Sequence, residues 1–222
     1  MAATRGSRTR EASQAATYPP APWRIAGPTV ICPALVPLDV ARAHVPADVD
    51  VVAVAPGRTA GGFLLARYQG GSTLHYGELL VFPALTRVRG SVGIWVSHAY
   101  VDSPASLAGG RHMWGVPKDL ATFAWSDGRV RLTGEDGAHL MTAAFPQPGR
   151  RLRIPSLLAS NGTTGGADRR RFIGTGPLRM APARVDVTVP QDAPFSALPL
   201  AGERRIAFAG HADFRLRAPR LL

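Results

Sequence analysis

Lys118 is the only lysine in 222 residues: lysine and arginine together number 26, of which 25 are arginine, and 26 − 25 leaves one. Guanidinium stays charged at any working pH, so arginine cannot replace lysine where chemistry needs a free amine. Lys118 lies among Trp114, Val116, Pro117 and Leu120. An amine in an apolar pocket is poorly solvated as ammonium, which favours its neutral form, and a neutral amine attacks a ketone to give a Schiff base. The competing reading is a composition bias that leaves one lysine on the surface. Schiff-base chemistry also needs an acid or base to move protons, a cation for any substrate carboxylate, and walls that exclude water. Glu78 precedes the apolar run Leu79, Leu80, Val81 and Phe82, so a buried carboxyl is one reading and an outward-facing one on an alternating strand is the other. Arg111 precedes Lys118 on the same segment and serves either as the cation or as half of a surface ion pair.

Other chemistries lack their residues. The histidines at 44, 75, 98, 112, 139 and 211 never fall at metal-ligand spacing, and Cys32 stands alone, so no metal site is expected. No Gly-x-Ser-x-Gly occurs, and the glycine-rich stretch 161–166 lacks the Gly-Lys-Ser/Thr of a phosphate-binding loop. The net charge of +11 raises nucleic acid as a partner. However, the arginine groups at 150–153, 169–171 and 204–205 have no interleaved aromatics and sit in no recognised nucleic-acid motif, so a solvated basic surface or anion-binding arginines are expected. No apolar run reaches the ~20 residues of a membrane helix. The lone cysteine suits a reducing compartment. The expected protein is a cytoplasmic homo-oligomer with no nucleic-acid or membrane partner.

The elements that must position these residues read as short strands. Residues 1–16 are polar, small and basic and are expected to form a disordered tail, with one domain over 17–222. Strands are expected over 29–36 (with Pro33 at an edge or bulge), 49–55, 61–69, within 74–89, over 92–101, and over 122–125, 130–133, 139–145, 152–158, 184–189 and 206–216. Residues 38–45 read as a short helix. Ser103 and Pro104 open another over 104–108, with the cap hydroxyl and first-turn proline in place, and Gly109-Gly110 is expected to stop it. Residues 161–166 read as a loop. No strand–helix–strand alternation appears. The fold class is mainly β: a single-domain antiparallel or mixed β-barrel with a few short helices.

The run Gly110-Arg111-His112-Met113-Trp114-Gly115-Val116-Pro117-Lys118 resembles the Gly-Arg-Glu-x-x-Gly-x-Pro-Lys segment of the acetoacetate decarboxylase superfamily, and Tyr76-Gly77-Glu78 resembles its Tyr-x-Glu. The resemblance spans roughly 18–217. It implies a cofactor-free lyase that forms an imine between Lys118 and a small-to-medium oxo acid or ketone, with Glu78 as proton shuttle. Decarboxylation or enamine-type aldol, dehydration or cyclisation chemistry would follow. Arg111 would orient the motif or grip a carboxylate, and Tyr76, His112 and Trp114 would wall the pocket. Asp119 stands where the decarboxylases carry a second lysine, and Phe63 lines up with their second glutamate. His112 replaces the acid of the motif, and Arg24 is the nearest match to an early arginine. A ligand-binding barrel that keeps the lysine, or a polyanion binder, is the alternative.

Overall fold

The computed structural model describes residues 17–145, 150, 152–163 and 169–222, and every structural statement below concerns those residues. The expected tail at 1–16 lies outside them.

Fifteen strands join in one sheet. They are β1 (Trp23–Pro37), β2 (Asp50–Val51), β3 (Ala53–Ala55), β4 (Arg58–Tyr68), β5 (Tyr76–Phe82), β6 (Ala84–Val88), β7 (Ser91–Trp95), β8 (His98–Val101), β9 (Lys118–Ser126), β10 (Arg129–Gly134), β11 (His139–Ala144), β12 (Leu152–Thr163), β13 (Arg169–Thr188), β14 (Gly202–Leu216) and β15 (Arg220–Leu221). The path β11-β10-β9-β8-β5-β4-β1-β14-β13 returns to its start because Thr142–Ala144 of β11 pair with Asp186–Thr188 of β13. This path therefore closes into a ring, so each of its nine strands has a neighbour on both sides over part of its length. β12, β7, β6 and β2 continue the sheet outward from β13. Most pairings are antiparallel, while β8–β9 and β7–β12 are parallel. Two short helices interrupt the strands: α1 (Leu38–Arg42), and α2 (Pro104–Gly109), which runs straight into a π-helical turn over Gly110–Trp114.

Strands β5 and β8 and the middle of β4 are covered on both faces. On β4, Phe63 and Leu65 point into one core, and Leu64, Ala66 and Tyr68 into a second. On β5, Leu79 and Val81 serve the first, and Tyr76 and Leu80 the second. A strand buried on both faces shows a continuous apolar run instead of alternation. Hence Glu78 has no solvent face to turn towards, and the outward reading fails.

Several boundaries differ from expectation. β1 is longer than 29–36 and runs from Trp23 to Pro37. β14 pairs with it only to Ile31, so Pro33, whose missing N–H would break a ladder, falls where β1 has a neighbour on one side. Residues 161–163 extend β12 instead of forming a loop, and Asn161 is buried, its amide donating to the Ser91 and Thr86 carbonyls. Gly109-Gly110 does not end the helix: the turn widens there, and the stop comes at Gly115, which takes the left-handed φ of 71° that glycine tolerates. No helix is long and apolar enough to cross a membrane.

The first core also holds a titrating ring. His98 on β8 packs edge-on against His44 at 5.5 Å and Phe195 at 5.8 Å, with Nδ1 2.9 Å from the Ser97 hydroxyl. Burial, helped by His44, pulls its pKa down to about 4. An unfolded histidine takes its proton near 6.5, so between about 6.5 and 4 the unfolded chain binds a proton that the folded one refuses. This stability is complete above about 6.5 and is lost as pH falls towards 4. With the ring's partial exposure discounted, the loss is about 2 kcal/mol. Urea unfolding at pH 7 and pH 4.5 should show this difference in wild type, and His98→Phe should shrink it. Equal slopes with pH in the two proteins would contradict the assignment.

Candidate active site

Three adjacent strands place the reactive pair. β5 and β8 pair Glu78 with Val101, and the parallel β8–β9 ladder pairs Ala99 with Lys118. Since side chains alternate, this register sends Glu78 and Lys118 to the same face, into the second core. Lys118 Nζ lies 2.6 Å from Glu78 Oε1, and both side chains are 5% exposed. The Nζ also donates to the Ser106 hydroxyl at 2.9 Å and stands 5.1 Å from the Tyr76 ring centre. Tyr68 donates its phenolic O–H to the other carboxylate oxygen, Glu78 Oε2, at 3.0 Å. Burial, and then the Glu78 charge, hold the Tyr68 and Tyr76 phenols well above 10, so both remain protonated.

The tandem glycines have a steric reason. A Cβ on Gly110 would sit 2.4 Å from Lys118 Cδ, and one on Gly109 would sit 2.5 Å from the Trp23 ring. The lysine stem and an aromatic wall therefore press directly on the backbone of the α2–π segment. Ser103 accepts from the Ser106 N–H and caps α2, which fixes the turn carrying the Ser106 hydroxyl.

The pair lies at a cavity of about 40 Å³ walled by apolar residues, among them Trp23, Leu64, Trp114, Phe172 and Phe214. Trp114 stacks edge-on against Trp23 and Phe172, each at 5.6 Å. Its indole Nε1 is buried without a hydrogen-bond partner. No three His, Cys, Asp or Glu side chains converge as metal ligands.

Of the sequence-derived candidates, Lys118, Glu78, Tyr76 and Trp114 line this cavity and four others do not. Phe63 sits on the opposite face of β4, sealed in the first core, because one residue of offset separates it from the wall residue Leu64. Arg24 projects to solvent between the wall residues Trp23 and Ile25, and makes a two-bond pair with Asp213 at 2.8 Å. His112 is exposed, its ring 6.1 Å from that of Tyr18. Arg111 turns to β9 and not to the cavity: its Nε donates to the Lys118 carbonyl and its Nη2 to Asp119, both at 2.6 Å. Asp119, one residue along β9, faces away from the cavity with its side chain 54% exposed. Sequence reasoning missed Ser106, Tyr68, Trp23 and Phe172. Only Ser106 carried a signal, as the third residue after a capping serine. The basic run 169–171 is structural in part. Arg170 donates to the His112 and Met113 carbonyls, and Arg171 to the Val92 carbonyl and Asn161.

A family model described as acetoacetate decarboxylase matches residues 7–152, which contain both members of the pair. The chain belongs to the acetoacetate decarboxylase family. Over 93% of its length it superposes on 89% of the acetoacetate decarboxylase of Legionella pneumophila, with TM-score 0.68 and 19% identity. The enduracididine biosynthesis enzyme MppR, complexed with pyruvate, matches 94% of this chain and 93% of its own, with TM-score 0.63 and 18% identity. At these identities the likeness is one of fold. A 123-residue stretch, 55% of this chain, is 32% identical to Protein NEOXANTHIN-DEFICIENT 1 of Oryza sativa subsp. japonica and spans 40% of that protein. Membership of this family makes the chain an enzyme's relative in fold and sequence, with the lysine segment inside the matched region.

Proposed function

We propose that this protein is a lyase that forms an imine between Lys118 and a ketone or oxo acid. The observation that carries the reading is the 2.6 Å contact between its one lysine and a buried carboxylate at the end of an apolar cavity. Passing the ammonium proton to Glu78 gives a neutral amine beside a neutral acid without exporting charge. The amine adds to the carbonyl carbon, and its proton moves to the oxygen. Glu78 then protonates the carbinolamine hydroxyl, water leaves, and an iminium stands beside a restored carboxylate. The iminium draws electrons from an adjacent bond. Loss of CO₂, or transfer of an α-proton to Glu78, gives an enamine that is reprotonated or adds to a second carbonyl. The Ser106 hydroxyl accepts from the amine and orients it, and Tyr68 occupies the carboxylate oxygen that the lysine does not use. MppR has been captured with the condensation product of pyruvate and imidazole 4-carboxaldehyde, which supports a carbonyl substrate in this fold.

Incubation with a panel of ketones, aldehydes and oxo acids, followed by borohydride, should add one reduced substrate mass to the peptide containing Lys118. An increment only on other peptides, or on none across the panel, would remove the imine mechanism and favour a ligand-binding barrel.

A further inference from the structure

Resting on the imine reading, a second property of the cavity narrows what it accepts. Among the described residues lining it, Lys118 is the only cation and Glu78 the only anion. The arginines that could have met a substrate carboxylate are turned elsewhere: Arg111 to the Lys118 carbonyl and Asp119, Arg24 to Asp213. Charge inside the cavity is therefore already balanced. An uncharged carbonyl compound keeps that balance through the reaction, since the iminium replaces the ammonium beside Glu78. A keto acid brings a second carboxylate into a low-dielectric space with no second cation, and a buried charge without a partner is costly.

The walls add a second element of selection. Trp114 is 2% exposed, sits at the cavity, and its indole N–H has no partner. A buried donor left unpaired carries a desolvation cost that a ligand acceptor would relieve, and indole N–H groups ordinarily find a partner when buried. Trp23, its edge-on neighbour, has one: its N–H donates to the Pro19 carbonyl at 2.8 Å. We propose that the cavity selects an uncharged ketone or aldehyde with an apolar body and one further hydrogen-bond acceptor, which the Trp114 N–H receives. Decarboxylation then falls away as the reaction, and the enamine formed by α-proton removal becomes the intermediate that matters. This makes Trp114 a specificity residue.

Borohydride trapping efficiency at subsaturating concentration tests each part. Along a series of 2-alkanones, trapping should rise about three- to fourfold per methylene only while the chain still fits the cavity of about 40 Å³, and level off or fall beyond that. Levulinate should trap at least tenfold less efficiently than 5-methyl-2-hexanone, its neutral isostere. A set of methoxy ketones differing in the position of the ether oxygen should contain one that traps at least as well as the alkanone of equal length. In Trp114→Phe the ratio of that ether to its alkanone should fall roughly three- to tenfold, the worth of one neutral hydrogen bond. Levulinate or pyruvate trapped as well as the neutral ketones would overturn the charge argument while leaving the imine intact. A uniform fall for ether and alkanone in Trp114→Phe would assign the tryptophan to packing and overturn its donor role. Failure of every carbonyl to trap would remove the lysine mechanism itself, and this selection with it.

Discussion

Lys118→Met should abolish covalent trapping of every carbonyl compound and reduce turnover to background. Methionine matches the length of the lysine stem, so it fits the channel left by Gly110, whose backbone lies against Lys118 Cδ and Cε. It brings no amine. The substitution also strips the buried Glu78 of its cation, and breaking one half of a buried pair costs roughly 3–5 kcal/mol while the other half stays charged. The variant should therefore lose stability along with its chemistry. Circular dichroism and urea unfolding separate loss of chemistry from loss of fold. A folded Lys118→Met protein that still gains a reduced adduct would place the nucleophile elsewhere.

Glu78→Gln has the second-largest effect and a different signature. The amide keeps the shape and an acceptor oxygen for Tyr68 or Lys118, but it cannot carry a proton between substrate atoms. Turnover should fall by roughly 10²–10⁴, while an adduct formed over long incubation with borohydride survives. Steady-state rates and trapped mass, measured on the same preparation, make the comparison. Unchanged turnover would dismiss Glu78 as the shuttle and leave it a counter-ion.

The reactive pair was legible in the sequence because residue type alone carries its chemistry: a unique lysine among apolar neighbours, and a carboxylate in a run with no other polar side chain. The barrel was legible from many short segments with glycine and proline turns. What escaped depended on faces and registers that emerge only when strands pair. Phe63 and Arg24 were each one residue away from true wall positions, Leu64 in one case and Trp23 or Ile25 in the other, and a one-residue offset on a strand reverses direction. The hydroxyls of Ser106 and Tyr68 reach the pair from a helix and from the neighbouring strand, a convergence no local pattern announces. The length of β13 was hidden as well. Only its end was expected as strand, and glycines and prolines stand at 174, 176, 177 and 182, yet the strand is paired through them by β12 and β14.

The ladder that sets Lys118 opposite Ala99 makes the chemistry a matter of parity. Deleting a single residue from the three between the π-helical turn and β9, with β9 sliding by one to close the gap, would bring Asp119 opposite Ala99. Two carboxylates would then confront each other where an ion pair had been, and Arg111 would lose the partner that anchors it. Replacing any of those three residues conserves parity, whereas adding or removing one inverts it. The length of the connection from helix to strand is therefore constrained for a reason separate from the left-handed φ that calls for Gly115.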